Sequence, residues 1–330
     1  MRFLSSRWLK VGISVGLFAL LLKSADLSVF ARQIWTVRPE FFLLVFIGYL
    51  IGQVLSAYRW RLLAQPLGFD QPLRVFTVYY FVGMYLNLFA PSTVVGDLGR
   101  GLLLSERAGG VGRALQSVLA DRVSGVVMLL WVSAVGFLLF GPTVLPAALC
   151  YGTIAAALCT VVGWWALPRL VPLCFSPRHK LYQLVEKVIS PYQTRPVLIA
   201  GVCGLAFVFH LFQLGLQVLL SHALGLAVPI WYLLLFIPLM TILSTLPVSF
   251  NGLGVREGGY VAFLALVGVG KEEALAFGLL WTALLFAAGL FGGLVLLVSP
   301  EARFSFHRAE TIANRSSAVP IGELRKTMDG

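Results

Sequence analysis

Two short stretches place charged and turn-forming residues inside otherwise apolar sequence. The first, residues 89–122, carries Pro91, Ser92, Gly96, Asp97, Gly99, Arg100, Asp121 and Arg122. The second, residues 246–257, carries Pro247, Asn251, Gly252, Gly254, Arg256 and Glu257. Pro91, Gly96 and Arg100 recur as Pro247, Gly252 and Arg256, 156 positions later. Arginine offers a planar fork of donors that matches the oxygens of a phosphate or carboxylate. Proline and glycine interrupt a helix and free backbone N–H groups, and a helix N-terminus carries partial positive charge. Both stretches are therefore suited to an anion. Asp97 and Glu257 can tune the arginines or carry a coupling proton. A bland role is equally open, in which Arg100 with Asp97, and Arg256 with Glu257, only pair to hold helices together.

Composition identifies the solvent around these residues. The chain is 59% hydrophobic and 12% charged, against roughly 25% charged in a soluble domain. Several apolar runs reach the about 20 residues that cross a bilayer. The class is an all-α polytopic membrane protein. A charge at bilayer depth costs at least about 2.5–3.5 kcal/mol on insertion scales, so each needs a partner or a task. The formal net charge of +11 is read as topology and contact with anionic lipid rather than nucleic acid. Cys150, Cys159, Cys174 and Cys203 form no CxxC pair and the four histidines show no ligand spacing. No metal, cofactor or disulfide framework is expected.

The runs must also position the two stretches. Arg2, Arg7 and Lys10 precede an apolar run at 11–22, read as an uncleaved first span with a cytoplasmic N-terminus. The second span, 39–64, ends in Tyr58-Arg59-Trp60-Arg61, a pattern of interface anchors, so Arg59 and Arg61 are expected at lipid headgroups, with a role on a substrate phosphate as the secondary reading. If run 75–90 crossed fully, the loop holding Arg100, Arg107 and Arg113 would face outside, against the positive-inside rule. A re-entrant hairpin with residues 91–99 at its tip removes the conflict. Irregular backbone at that depth must be buried in protein or line a wet cavity, so the hairpin implies a cavity.

Spans follow at about 114–140 and 144–167. The linker 168–196 sets Arg169, Arg178, Lys180, Lys187 and Arg195 against Glu186 alone. It is expected to be cytoplasmic and to carry an amphipathic helix on the membrane surface. In the span 197–225, His210, Gln213 and Gln217 share a face, which favours interhelical hydrogen bonds over cavity lining. A second hairpin enters at 231–246 and returns through 258–269, and 274–298 forms the last span. The polar tail 299–330 is expected to be disordered and cytoplasmic.

Each half then reads span, span, hairpin, span: repeat 1 at about 8–141 and repeat 2 at about 144–298. That makes six full spans and two hairpins, or seven to eight segments by simple count. Three crossings per half invert the second half against the first, an arrangement found in many transporters.

Residues 90–109 followed by Ala120-Asp121-Arg122, and 246–260 with its run from Asn251 to Glu257 followed by 272–281, resemble the transmembrane region of lysylphosphatidylglycerol synthases. This family is also called flippase-like membrane proteins, and the resemblance covers roughly residues 10–298. It implies a region that moves a modified or glycan-carrying lipid between leaflets, in some members within hopanoid or glycolipid pathways. It puts Gly96, Arg100, Asp121, Arg122, Asn251, Gly252, Gly254, Arg256 and Glu257 at motif positions. Two departures stand out. The synthases' aminoacyl-transferase domain has no counterpart, so lysyl transfer from tRNA is not expected. Trp281 stands where many relatives carry an arginine.

Three functions compete. The foremost is a lipid flippase or transporter in the bacterial inner membrane, non-enzymatic, moving an anionic or polyprenyl- or glycan-linked lipid. The second is a non-catalytic partner of a glycosyltransferase or lipid-modifying enzyme, docked through the 168–196 helix. The third, an intramembrane enzyme, is weakest because no embedded His/Asp/Ser constellation appears, although Asp97, Asp121 and Glu257 could act as acid or base.

Overall fold

The structure, a computed structural model, describes residues 37–89, 94–108, 110–141, 145–245 and 252–301, together with Gly16, Ser28, Arg32 and Ser249. The expected first span, the tip residues Pro91, Ser92, Pro247 and Asn251, and the tail beyond Glu301 lie outside the described residues. Those described form helices, with no strand among them. In chain order they are α1 (Pro39–Ala64), α2 (Leu73–Leu88), α3 (Val94–Ala108), α4 (Val111–Phe140), α5 (Ala147–Cys174), α6 (Lys180–Val188), α7 (Pro196–Ala223), α8 (Ile230–Thr245), α9 (Val255–Ala265) and α10 (Lys271–Val298). A 3₁₀ turn follows α1 at Gln65–Leu67 and a single helical turn, Ser190–Gln193, precedes α7.

Five of these (α1, α4, α5, α7 and α10) are long and apolar enough to cross a bilayer. At about 1.5 Å per residue, the 28 residues of α7 exceed the roughly 30 Å hydrocarbon thickness. The 16, 15, 16 and 11 residues of α2, α3, α8 and α9 do not. These short helices fold back in pairs. Arg107 Nε donates to Tyr79 Oη at 2.8 Å near one end of α2–α3, and the Gly96 N–H donates to Asn87 Oδ1 at 2.8 Å near the other. Tyr232 Oη donates to the Phe263 carbonyl, at 2.5 Å, across α8–α9.

The packing is reciprocal. Helices α1 and α7 lie together, α2 packs on α10, and α8 packs on α4. Each pair of short helices thus leans on a long helix distant from it in sequence. Glycine permits the closest approaches: a Cβ on Gly292 of α10 would lie 2.1 Å from the Phe81 carbonyl oxygen of α2. Each hairpin also has its own apolar core. Trp60, Phe76, Tyr79 and Leu104 are buried in one, and Tyr232, Phe236, Tyr260 and Phe277 in the other.

The linker differs from expectation in two respects. Helix α5 continues through Pro168 and Pro172 to Cys174 instead of ending near 167. Pro168 lacks the N–H that the Trp164 carbonyl would accept, and Gln193 Nε2 donates to that carbonyl at 3.4 Å instead. The amphipathic helix α6 is present, but Val185 and Val188 are buried. It packs on α5 and α4, so its apolar face is at least partly turned to protein. Tyr192, in the turn after it, is buried and donates to the Leu63 carbonyl at 2.8 Å. Burial, followed by the nearby Asp121 carboxylate, holds its phenol above the ordinary value and protonated.

Candidate functional site

Asp121 lies in the first half of α4, whose face toward α1 and α3 buries Ala114, Ser117, Val118 and Asp121. Only 2% of its side chain is exposed. Arg59 Nε and Nη2 both lie 2.8 Å from Oδ1, and Arg100 Nη2 lies 2.9 Å from Oδ2. Arg100 also meets Asp97 Oδ1, from Nε at 3.1 Å and from Nη2 at 3.0 Å. Arg122 Nε donates to the other oxygen of Asp97. Three guanidinium groups and two carboxylates thus form one chain of ion pairs with a net charge of +1, counted as 3 − 2.

Aromatic faces hold the arginines in place. The Arg100 guanidinium is centred 4.8 Å from the Trp60 ring and 4.7 Å from the Tyr80 ring. That of Arg59 lies 5.8 Å from the Phe209 ring. Such contacts strengthen when desolvated. Trp60 is itself fixed by Nε1 donating to Ser117 Oγ at 3.0 Å. Even so, Arg59 Nη1, Arg100 Nη1 and Ser56 Oγ are buried without a hydrogen-bond partner. Unmade bonds of this kind are expensive, and those of charged donors most of all.

All three residues line a cavity of about 240 Å³, together with Asp97, Asp121 and Arg122. An adjoining cavity of about 280 Å³ is lined by Gln213, Gln217, Arg256, Tyr260 and Trp281 among others. The two share Tyr49, Gln53, Arg122, Phe209, His210 and Thr241 in their walls. Both hairpins contribute to this pair of cavities: α2 and α3 to the first, α8 and α9 to the second, with Thr241 and Thr245 of α8 in both.

The second hairpin is built differently. The Gly254 N–H donates to Glu257 Oε2 at 2.6 Å, capping α9 from within, and Gly254 has a φ of 81° that favours glycine. Thr282 Oγ1 donates to the other Glu257 oxygen and accepts from Arg256 Nη1 at 3.2 Å. Arg256 and Glu257 therefore meet through one hydroxyl. Trp281 is buried edge-on to Tyr49, with ring centroids 5.9 Å apart.

Of the residues expected from sequence, Asp97, Arg100, Asp121 and Arg122 converge, as do Arg256 and Glu257, with Gly96 and Gly254 at their helix starts. Gly96, Asp97 and Gly99 belong to α3 itself and not to an irregular tip. Arg59 is a correction: it is a buried member of the ion chain and not a headgroup anchor, while Arg61 donates to the Gln71 carbonyl at 3.1 Å. Ser56, Asn87 and Tyr80 were not anticipated as site residues either. The spacing of Gln53, Ser56 and Arg59 on one helical face carried the available signal. His210, Gln213 and Gln217 combine both expected roles. His210 Nε2 lies 3.0 Å from the Gly125 carbonyl and Tyr260 Oη donates to Gln217 at 2.8 Å, yet all three line the second cavity. Both side-chain amide atoms of Gln213 are buried without a partner. Among the described residues no group of three or more His, Cys, Asp or Glu side chains converges to hold a metal ion.

Comparison with known proteins agrees with the motif positions. The family described as lysylphosphatidylglycerol synthase TM region matches residues 7–293, which covers every helix described except the last turns of α10. No curated protein and no solved structure gives a match. The chain is a multi-pass membrane protein belonging to the lysylphosphatidylglycerol synthase transmembrane-region family.

Proposed function

We propose that this chain moves a lipid with an anionic headgroup between the two leaflets of a membrane, the headgroup passing through the paired cavities. The observation behind this reading is the set of orphaned donors: Arg59 Nη1, Arg100 Nη1 and Ser56 Oγ on residues lining one cavity, buried and unpaired. A bound phosphate or carboxylate would satisfy them, and would be met by a site of net positive charge. The short paired helices are read as re-entrant hairpins, and the reciprocal packing of α2 on α10 and α8 on α4 as two inverted repeats. In this arrangement the function is transport and not catalysis, in a bacterial inner membrane with both termini cytoplasmic.

Reconstitution tests this directly. Proteoliposomes should translocate labelled anionic phospholipids or polyprenyl-phosphate lipids faster than a zwitterionic phospholipid with the same tails. Equal rates for both would remove the anion-selective site. A second reading, a non-catalytic partner for a glycosyltransferase or lipid-modifying enzyme, draws on Leu184 of α6, 49% exposed on a basic linker. Co-purification of such an enzyme, without translocation of any lipid, would favour it.

A further inference from the structure

We infer that Asp97 is an internal stand-in that competes with the transported anion: its carboxylate bridges Arg100 and Arg122 and gives them up to an anion that also takes the unpartnered Nη1 of Arg100. The inference rests on the transport reading above and deepens it.

The two carboxylates of the ion chain are held in different ways. Asp121 sits on a long helix, is 2% exposed and takes Arg59 and Arg100 on separate oxygens. It is built in. Asp97 is 17% exposed and lies four residues into α3, a short helix that follows directly on the hairpin tip. It too bridges two guanidinium groups, one on each oxygen, as two oxygens of a phosphate would. One of these belongs to Arg122, whose side chain is 37% exposed and lies in the wall of both cavities.

The charge of the cluster explains why such a group is needed. Without Asp97 the cluster would hold three arginines against Asp121 alone, a net charge of +2 at membrane depth, counted as 3 − 1. Isolated charge there is strongly disfavoured. With Asp97 in place the excess falls to one. An arriving anion then exchanges one charge-assisted pair for another, and its apparent affinity is set by competition with Asp97. Gly96, adjacent to Asp97, lies against Gly83 of α2 with no room for a Cβ. Asp97 ties this first turn of α3 to Arg122 of α4, and its release frees the turn from α4.

The test measures binding of a short-chain phosphatidic acid to the purified full chain, with the matching diacylglycerol as the uncharged control. Asp97→Asn removes the competing charge at constant size and should bind phosphatidic acid about tenfold more tightly than wild type, as removal of a pair worth one decade would give. Asp97→Glu keeps the charge and should stay within about threefold of wild type on the same scale. Amide hydrogen exchange supplies a measurement on the unaltered protein. Saturating phosphatidic acid should speed exchange over residues 94–99, because Asp97 is released. Equal or weaker binding by Asp97→Asn, or slowed exchange at 94–99, would overturn the stand-in while leaving the anion site intact. A wild type that does not prefer phosphatidic acid to diacylglycerol would overturn both.

Discussion

Asp121, with 2% of its side chain exposed, accepts from two guanidinium groups. Asp121→Asn leaves Arg59 and Arg100 close together without their shared counter-charge. Breaking a buried pair in this way costs about 3–5 kcal/mol. The variant should lose most of its thermal stability in detergent, read as a lowered unfolding midpoint, whereas Asp97→Asn, half in the cavity, should fold. If the two variants unfolded together with wild type, the built-in role of Asp121 would be wrong. Arg59 shows why residue roles are hard to read from sequence. Beside Tyr58, Trp60 and Arg61 it has the composition of an interface anchor, yet residues 59 and 61 point to opposite sides of a helix. Only the packing of α1 on α4 decides that Arg59 turns inward to Asp121 while Arg61 turns to Gln71. The pairing of Arg100 with Asp97, by contrast, was legible, since residues three apart share a helical face.

At the scale of elements, the hairpins depend on backbone contact. A Cβ at Gly96 would meet the Gly83 carbonyl oxygen at 2.1 Å and Asn87 Oδ1 at 2.5 Å. Gly96→Ala should therefore pry α3 from α2 and cost about 1–3 kcal/mol, the range for overpacked cores. Gly201→Ala on α7, where nothing lies within 4 Å, should be neutral or stabilising by up to about 1 kcal/mol. Parallel thermal unfolding of the two variants checks this, and equal stability would contradict the packing described. That these stretches hold short paired helices was legible because proline and glycine recur at matching offsets. That Gly96 and Asp97 are already helical was not legible, because the Asn87 side chain that accepts from the Gly96 N–H comes from another helix. Helix α5 overruns its expected end for a similar reason: a partner distant in sequence, Gln193, takes up the carbonyl that Pro168 strands.

At the scale of the whole molecule, the two pairs of short helices differ in charge pattern. Where α4 presents Asp121 and Arg122, α10 presents Trp281 and Thr282, so the ion chain belongs to the first half and the hydroxyl-bridged pair of Arg256 and Glu257 to the second. The opposed orientation proposed for the halves predicts that Ser92→Cys and Ser249→Cys, each in a background without the four native cysteines, react with impermeant thiol reagents only from opposite sides of the membrane. Reaction from one common side would contradict the inverted repeat. Five of the expected spans were legible from hydrophobic runs, but the seating of each short-helix pair on a long helix distant in sequence was not. It depends on contacts such as Gly292 with Phe81, which join residues about 200 positions apart and leave no periodic trace.

The most direct measurement is lipid translocation in proteoliposomes by wild type and Arg100→Lys. Lysine keeps one charge against Asp121 and Asp97 but loses the planar fork whose Nη1 is unpartnered in the cavity. The wild type should carry a labelled anionic lipid from one leaflet to the other, and Arg100→Lys should remain folded while losing at least about tenfold in rate, roughly 1.4 kcal/mol. Undiminished translocation by folded Arg100→Lys, or none by the wild type, would contradict transport through this site.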